Sequence, residues 1–242
     1  MILQYLTTLK LIGIYLFLIP ILLGGSLSLI SRHNKQLIVN IWGVKAQLLL
    51  GGIGVIIHEL SHSLVAVLFG HRITRMRLLH FPNPHDPNDN SLGSVDHSWN
   101  NHSLYQRVGN VFIGIAPIVG NTAVLILITN WLMPGILSWF SLSTTTAAFS
   151  WSKFFIWLIL VININIGGFD LSSADLKNSG SGLLTLLTII LIVSFFVSLF
   201  TTPAVVSVWL RSWLSWVYIA LAISLVLDLI TLAILTILTW RE

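Results

Sequence analysis

The sequence predicts an all-α polytopic membrane protein, with about six transmembrane helices and a small β-hairpin or sheet inserted after the second. Three observations carry that fold class. Of 242 residues, 55% are hydrophobic and only 8% charged, against roughly a quarter charged in soluble domains, and the mean hydropathy is +0.91. Uncharged apolar runs of about 20 residues, enough to cross a bilayer, recur along the whole chain. Between them stands one long hydrophilic stretch, His71 to Arg107.

The first run, Leu11–Ile30, is followed by no small-residue cleavage pattern, so a retained span is expected and not a removed signal peptide. The second is Ala46–Gly70. After it, Ile73-Thr74-Arg75-Met76-Arg77-Leu78 and Ser91-Leu92-Gly93-Ser94-Val95-Asp96 partly alternate, separated by the turn-forming Pro82-Asn83-Pro84-His85-Asp86-Pro87-Asn88-Asp89-Asn90. That pattern reads as a hairpin, roughly 71–107, beside the second helix. Val108–Met133 is the third span. The fourth, Phe154–Phe169, is short and carries Asn163, Asn165 and Gly167-Gly168, as expected of a helix lining a buried site. Leu183–Thr202 and Trp213–Leu238 complete the set. Asp228, alone in the last run, reads as an interior carboxylate hydrogen-bonded to a neighbouring helix. With no internal repeat and no linker, residues 1–242 read as one domain.

Charge and composition exclude several classes. The net charge of +4 is scattered over the loops with no basic stripe, which argues against nucleic-acid binding. Without cysteine there is no disulfide, thiolate nucleophile or cysteine zinc ligand. Six spans put both termini on one side, with Lys10, Arg72, Arg75, Arg77, Arg107, Lys177 and Arg241. The other side takes Arg32, Lys35, Lys45, Lys153 and Arg211, so the positive-inside rule makes the termini cytoplasmic by a narrow margin. Trp42, Trp131, Trp139, Trp151, Trp209, Trp213 and Trp216 gather towards the non-terminus side, as an interfacial belt does.

The chemistry concentrates in His58-Glu59-Leu60-Ser61-His62, at the middle of the second run. An ionisable cluster in hydrocarbon is expensive and marks function. On a helix, positions i and i+4 share a face, so His58 and His62 can direct two imidazoles at one ion, with Glu59 beside them to handle the proton of an activated water. This is the H-E-x-x-H pattern of zinc hydrolases. Interior histidines bonded to carbonyls explain one such residue but not the whole motif. A catalytic zinc takes about three protein ligands, so a third must come from elsewhere. Asp170 and Asp175 both follow the short span. Asp170 lies as far beyond Lys153 as His62 lies beyond Lys45, on helices running the same way, which favours it by depth. Gly167-Gly168 can break the helix, however, and then counting no longer measures depth. Ser172-x-x-Asp175 ahead of an apolar run is also a helix cap. Asn121 offers a hydrogen bond to a substrate carbonyl, or glue between two helices. His80, His85, His97 and His102 with Asp86, Asp89 and Asp96 could supply a second metal, solvated loop residues being the plainer account.

His58-Glu59-Leu60-Ser61-His62-Ser63-Leu64, Ile115-Ala116-Pro117-Ile118-Val119-Gly120 and Ser172-Ser173-Ala174-Asp175-Leu176-Lys177 resemble the small bacterial members of the site-2 protease family, intramembrane metalloproteases without a PDZ or other regulatory domain here. The resemblance runs from about Gly54 to Leu184, and its first motif is far more specific than the other two. It implies Zn2+ held by His58, His62 and Asp175, with Glu59 as catalytic acid/base. It further implies endopeptidase action on a membrane protein or peptide substrate within the lipid bilayer of a bacterial inner membrane. A helical substrate must unwind to be cut, and the hairpin's edge strand can hold it extended. The chain departs from the family at Phe169-Asp170-Leu171, where a Leu-Asp-Gly ligand preceded by Asn-x-x-Pro is usual. Two other readings use the same residues: a metal-ion transporter, and a non-catalytic membrane binding or immunity protein.

Overall fold

A computed structural model describes residues 1–82, 92–136 and 149–240, with nothing taken from the side chain of Ser181. His85, Asp86, Asp89 and Trp139 lie outside the described residues. Helix α1 (Ile2–Gly13) passes through a π turn (Ile14–Leu18) into α2 (Ile19–Trp42), making one span of 41 residues. Pro20 lacks the N–H that the Leu16 carbonyl would accept, and the widened turn falls just ahead of it. The apolar run Leu11–Ile30 is thus the middle of a much longer helix. Arg32 and Lys35, assigned to a loop by the charge count, sit inside α2 and pair with Asp170.

Gly43, at φ 80, turns the chain from α2 into α3 (Val44–Leu68), and Gly70, at φ 72, stops α3. That left-handed region is where a residue without Cβ is favoured. Strands β1 (Arg72–Arg77) and β2 (Ser94–Ser98) form the expected antiparallel pair, in register from Arg72 opposite Ser98 to Arg77 opposite Ser94. An irregularity between Ile73 and Arg75 leaves Thr74 to donate its hydroxyl to the Asp96 carbonyl at 3.0 Å. Helix α4 (Leu104–Leu132) is capped by Ser103, whose Oγ accepts from the Gln106 N–H. It is followed by α5 (Trp151–Gly168), α6 (Ser173–Phe200) and α7 (Pro203–Thr239), with Pro203 placed at the start of α7, where no N–H is missed. Among the described residues six helical spans are long and apolar enough to cross a membrane, as an integral membrane protein requires.

Gly167 and Gly168 do not break α5, which runs to Gly168. They let it touch α3 backbone to backbone. A Cβ on Gly167 would lie 1.7 Å from the Gly51 carbonyl oxygen, and one on Gly54 would lie 2.6 Å from that of Ile164. Close approach through small residues is how helices pack where lipid removes the hydrophobic drive. The main core (Leu27, Leu125, Trp157, Val161, Ile164, Phe169 and Leu221) lies where α2, α4, α5 and α7 meet. Its one polar guest is satisfied: the Trp157 indole donates to Thr129 Oγ1 at 2.9 Å.

Candidate metal centre

His58, Glu59 and His62 are buried on the inward side of α3. Each imidazole is oriented by a backbone carbonyl that its own helix leaves unused. His58 Nδ1 lies 3.0 Å from the oxygen of Gly168, the last residue of α5, and a terminal carbonyl has no intrahelical donor. His62 Nδ1 lies 2.8 Å from the oxygen of Ile113. The donor that would claim Ile113 is residue 117, a proline without N–H. A carbonyl only accepts, so both Nδ1 atoms carry a proton, and in the neutral rings both Nε2 atoms are bare.

Those two Nε2 atoms face each other at 3.1 Å. Asp175 completes the group: Oδ1 is 3.0 Å from His62 Nε2 and Oδ2 is 3.8 Å from His58 Nε2. One ligand atom from each of the three residues lies within 4.8 Å of the others. With both rings neutral, two lone pairs and a carboxylate converge, and such a set fits a cation. Imidazoles whose second nitrogen is tied to a carbonyl are what metal sites use. The elements are N, N and O, suited to zinc.

Asp175 is helix cap and member of this group together. Its Oδ2 accepts from the Ser172 N–H and hydroxyl, both at 2.7 Å, while the Ser172 Oγ accepts from the Asp175 N–H at 3.1 Å. The capping box thereby fixes the rotamer that turns Oδ1 toward His62. Gly114 admits the approach, since a Cβ there would stand 2.4 Å from the Asp175 carbonyl oxygen. Asp170 is not part of the group. Its carboxylate is held by Arg32 at 3.0 Å and Lys35 at 3.5 Å. Arg32 also donates to the Leu171 carbonyl, and the Leu171 N–H donates to Ser28 Oγ at 2.9 Å. Helix α2 therefore clamps the connector between α5 and α6.

Asn121 lies apart from the cavity walls. It is fully buried and donates from Nδ2 to the carbonyls of Pro117 (2.8 Å) and Gly168 (3.0 Å). The second of these is the carbonyl that also receives His58. A Cβ on Gly168 would collide with this amide at 2.2 Å.

Glu59 lines two cavities. One, of about 420 Å3, runs past Lys35, Gln47 and Asp170; the other, of about 400 Å3, contains His58, His62 and Asp175 with Asp96, His97 and Trp99 of the hairpin side. Gly93 comes so close that a Cβ would fall 2.7 Å from Glu59 Cγ. The hairpin thus roofs the acid.

His71 belongs to no motif visible in the sequence. It is buried, its Nε2 donates to the Gln106 carbonyl at 2.9 Å, and its Nδ1 lies 3.0 Å from His97 Nδ1. His71 follows directly on the glycine that ends the motif helix, the one hint of its place. Burial pushes the imidazole pKa down at both His71 and His97, reinforced at His97 by the neighbouring His71. Among the described residues no second group of three possible ligands forms, and His97 pairs with His71.

Fold and geometry together define the class: a polytopic membrane protein with a buried His58–His62–Asp175 group able to hold a metal ion. No family model, no curated protein and no solved structure matches the chain.

Proposed function

We propose that the chain is a zinc-dependent intramembrane endopeptidase. One observation carries this reading: three convergent acceptors inside a membrane-spanning bundle, with a glutamate next to the first of them in the chain and on the wall of the same cavity. His58, His62 and Asp175 would hold the ion. Zinc in such a site supplies Lewis acidity, polarising a scissile carbonyl and acidifying water. Glu59 takes a proton from the water that attacks the carbonyl carbon and returns it to the amine as the C–N bond breaks. Ser172 keeps Asp175 in its rotamer, and the Gly168 and Ile113 carbonyls keep both imidazoles in the tautomer with Nε2 bare.

The hairpin supports a peptide substrate. Ser94, Val95, Asp96 and His97 of β2 line the cavity that holds the proposed ligands. In a two-stranded sheet β2 keeps one edge unpaired among the described residues, so an unwound segment can add to it as a third strand. The basic residues Arg72, Arg75 and Arg77 of β1 lie on the side of the termini, in keeping with cytoplasmic termini in a bacterial inner membrane.

The test pairs metal content with proteolysis. Purified protein should carry stoichiometric zinc and cleave members of a membrane-peptide library, and Glu59→Gln should abolish cleavage while keeping the zinc. Cleavage that survives Glu59→Gln rejects the acid/base role. Zinc binding with metal flux and no cleavage would point to a transporter instead.

A further inference from the structure

A second polar group is sealed into the bundle where α2, α5 and α7 meet. Asn34 and Asp228 are 0% exposed and Asn165 is 1% exposed. Each amide nitrogen makes one bond to a backbone carbonyl. Asn34 Nδ2 donates to the backbone carbonyl of Asp228 at 3.1 Å, and Asn165 Nδ2 to that of Ser224 at 3.3 Å. Ser31 Oγ donates to the Asn165 carbonyl at 3.0 Å. Ser224 precedes Asp228 by one turn of α7, and Ser31 precedes Asn34 by nearly one turn of α2, so these bonds gather the three side chains at one level of the bundle.

What remains is an excess of acceptors. Asn34 Oδ1, Asn165 Oδ1 and both carboxylate oxygens of Asp228 are buried and have no donor among the described residues. The bond expected between the Asp228 carboxylate and a neighbouring helix goes to its backbone carbonyl instead. Turning either amide over cures nothing, because its oxygen would then face a backbone carbonyl. Lys35, next to Asn34 in the chain, has its ammonium on Asp170. A carboxylate left uncompensated at this depth is expensive.

We propose that Asn34, Asn165 and Asp228 form an all-oxygen site for a monovalent hard cation, sodium, between α2, α5 and α7. Oxygen donors without nitrogen or sulfur select hard cations, and a single carboxylate balances a single positive charge. A proton on Asp228 would give one O–H for several orphaned oxygens, whereas an ion takes several at once. The cation ties α7 to the two helices that support the candidate centre, since Asn165 stands three residues before Gly168. This assignment does not depend on peptidase activity.

The experiment uses the full-length protein in detergent, with sodium chloride, potassium chloride and choline chloride compared at equal ionic strength and mildly alkaline pH. Sodium should raise the unfolding temperature saturably, potassium should act more weakly and choline not at all. Asp228→Asn should lose the sodium effect while keeping its content of transition metal. Equal unfolding temperatures in the three salts would overturn the assignment, as would a sodium effect that survives in Asp228→Asn. So would stabilisation by acid alone, which assigns a proton. Should Asp228→Asn fail to fold, binding of radioactive sodium to the wild type decides: stoichiometric, displaceable sodium supports the site and none refutes it.

Discussion

Asp170, on the connector after α5, and Asp175, in the first turn of α6, stand five residues apart, yet they meet opposite environments. Asp170 faces α2 and is held between Arg32 and Lys35; Asp175 faces α3 and meets two bare imidazole nitrogens. Neither fate is written in the local sequence. Each is set by what a distant helix presents at that level, cations on α2 and histidines on α3. A carboxylate already held by two cations has little left for an ion, whereas one held by a serine cap still has an oxygen to offer.

Exchanging the two roles by mutation is the sharpest way to break this contrast. Asp175→Ala should lower zinc affinity by more than the roughly 10–100-fold that loss of an outer-shell partner costs. It should also remove the carboxylate half of the capping box, at about 0.5–1 kcal/mol, while the residue-175 N–H keeps its bond to Ser172 Oγ. Asp170→Ala should leave zinc stoichiometric and instead strand Lys35, whose side chain is 16% exposed, beside the half-exposed Arg32. The expected loss of stability is about 1–3 kcal/mol, between that of an exposed pair and that of a fully buried one. Elemental analysis and thermal unfolding read both quantities, and a metal-free Asp170→Ala beside a zinc-replete Asp175→Ala would reverse the assignment.

Asn121 sharpens the contrast from the other side, because it supports His58 and stays away from the cavity. Asn121→Leu should cost about 1–3 kcal/mol of stability by stripping donors from buried carbonyls. If the peptidase reading holds, peptide KM should not move. A raised KM at unchanged stability would instead make Asn121 the substrate contact that its place after Gly120 suggests.

A smaller effect is expected at Pro117. In Pro117→Ala the restored N–H competes for the Ile113 carbonyl, and His62 loses part of its tether. Zinc affinity should fall roughly tenfold, the lower end for outer partners, while the helix itself gains a hydrogen bond. Unchanged affinity would mean that Ile113 accepts both donors without strain.

These cases show what was legible in the sequence and what was not. The spans, the hairpin and the His58/His62 pair are local, fixed by apolar run length and by i,i+4 spacing, and they could be read directly. From the residues alone Asp175 stood no higher than Asp170, and only the resemblance singled it out, because the Arg32–Asp170–Lys35 contact runs across helices. Depth counting favoured Asp170, which stands two residues past the end of α5 but is turned to Arg32 and Lys35, and a count along one helix carries no such direction. Pro117 is visible in the sequence, but its use is not. Which carbonyl a proline frees follows from spacing, yet the histidine that claims it belongs to another helix. The orphaned oxygens around Asp228 are likewise a property of three helices meeting.

The smallest effect concerns the roof over the centre. His71 and His97 titrate below the ordinary imidazole range because burial disfavours their charged forms. The unfolded hairpin therefore binds more protons than the folded one as the pH drops through about 6.5, the ordinary histidine value. Stability contributed by the pair is present above that pH and lost below it. Amide exchange in β1 and β2, corrected for its intrinsic pH dependence, should quicken on acidification while α4 and α5 stay protected. His71→Phe keeps a ring beside Trp99, on which His71 now stacks with centroids 6.1 Å apart, and should flatten the response. A hairpin that opens equally in His71→Phe would place the acid sensitivity elsewhere than in this imidazole pair.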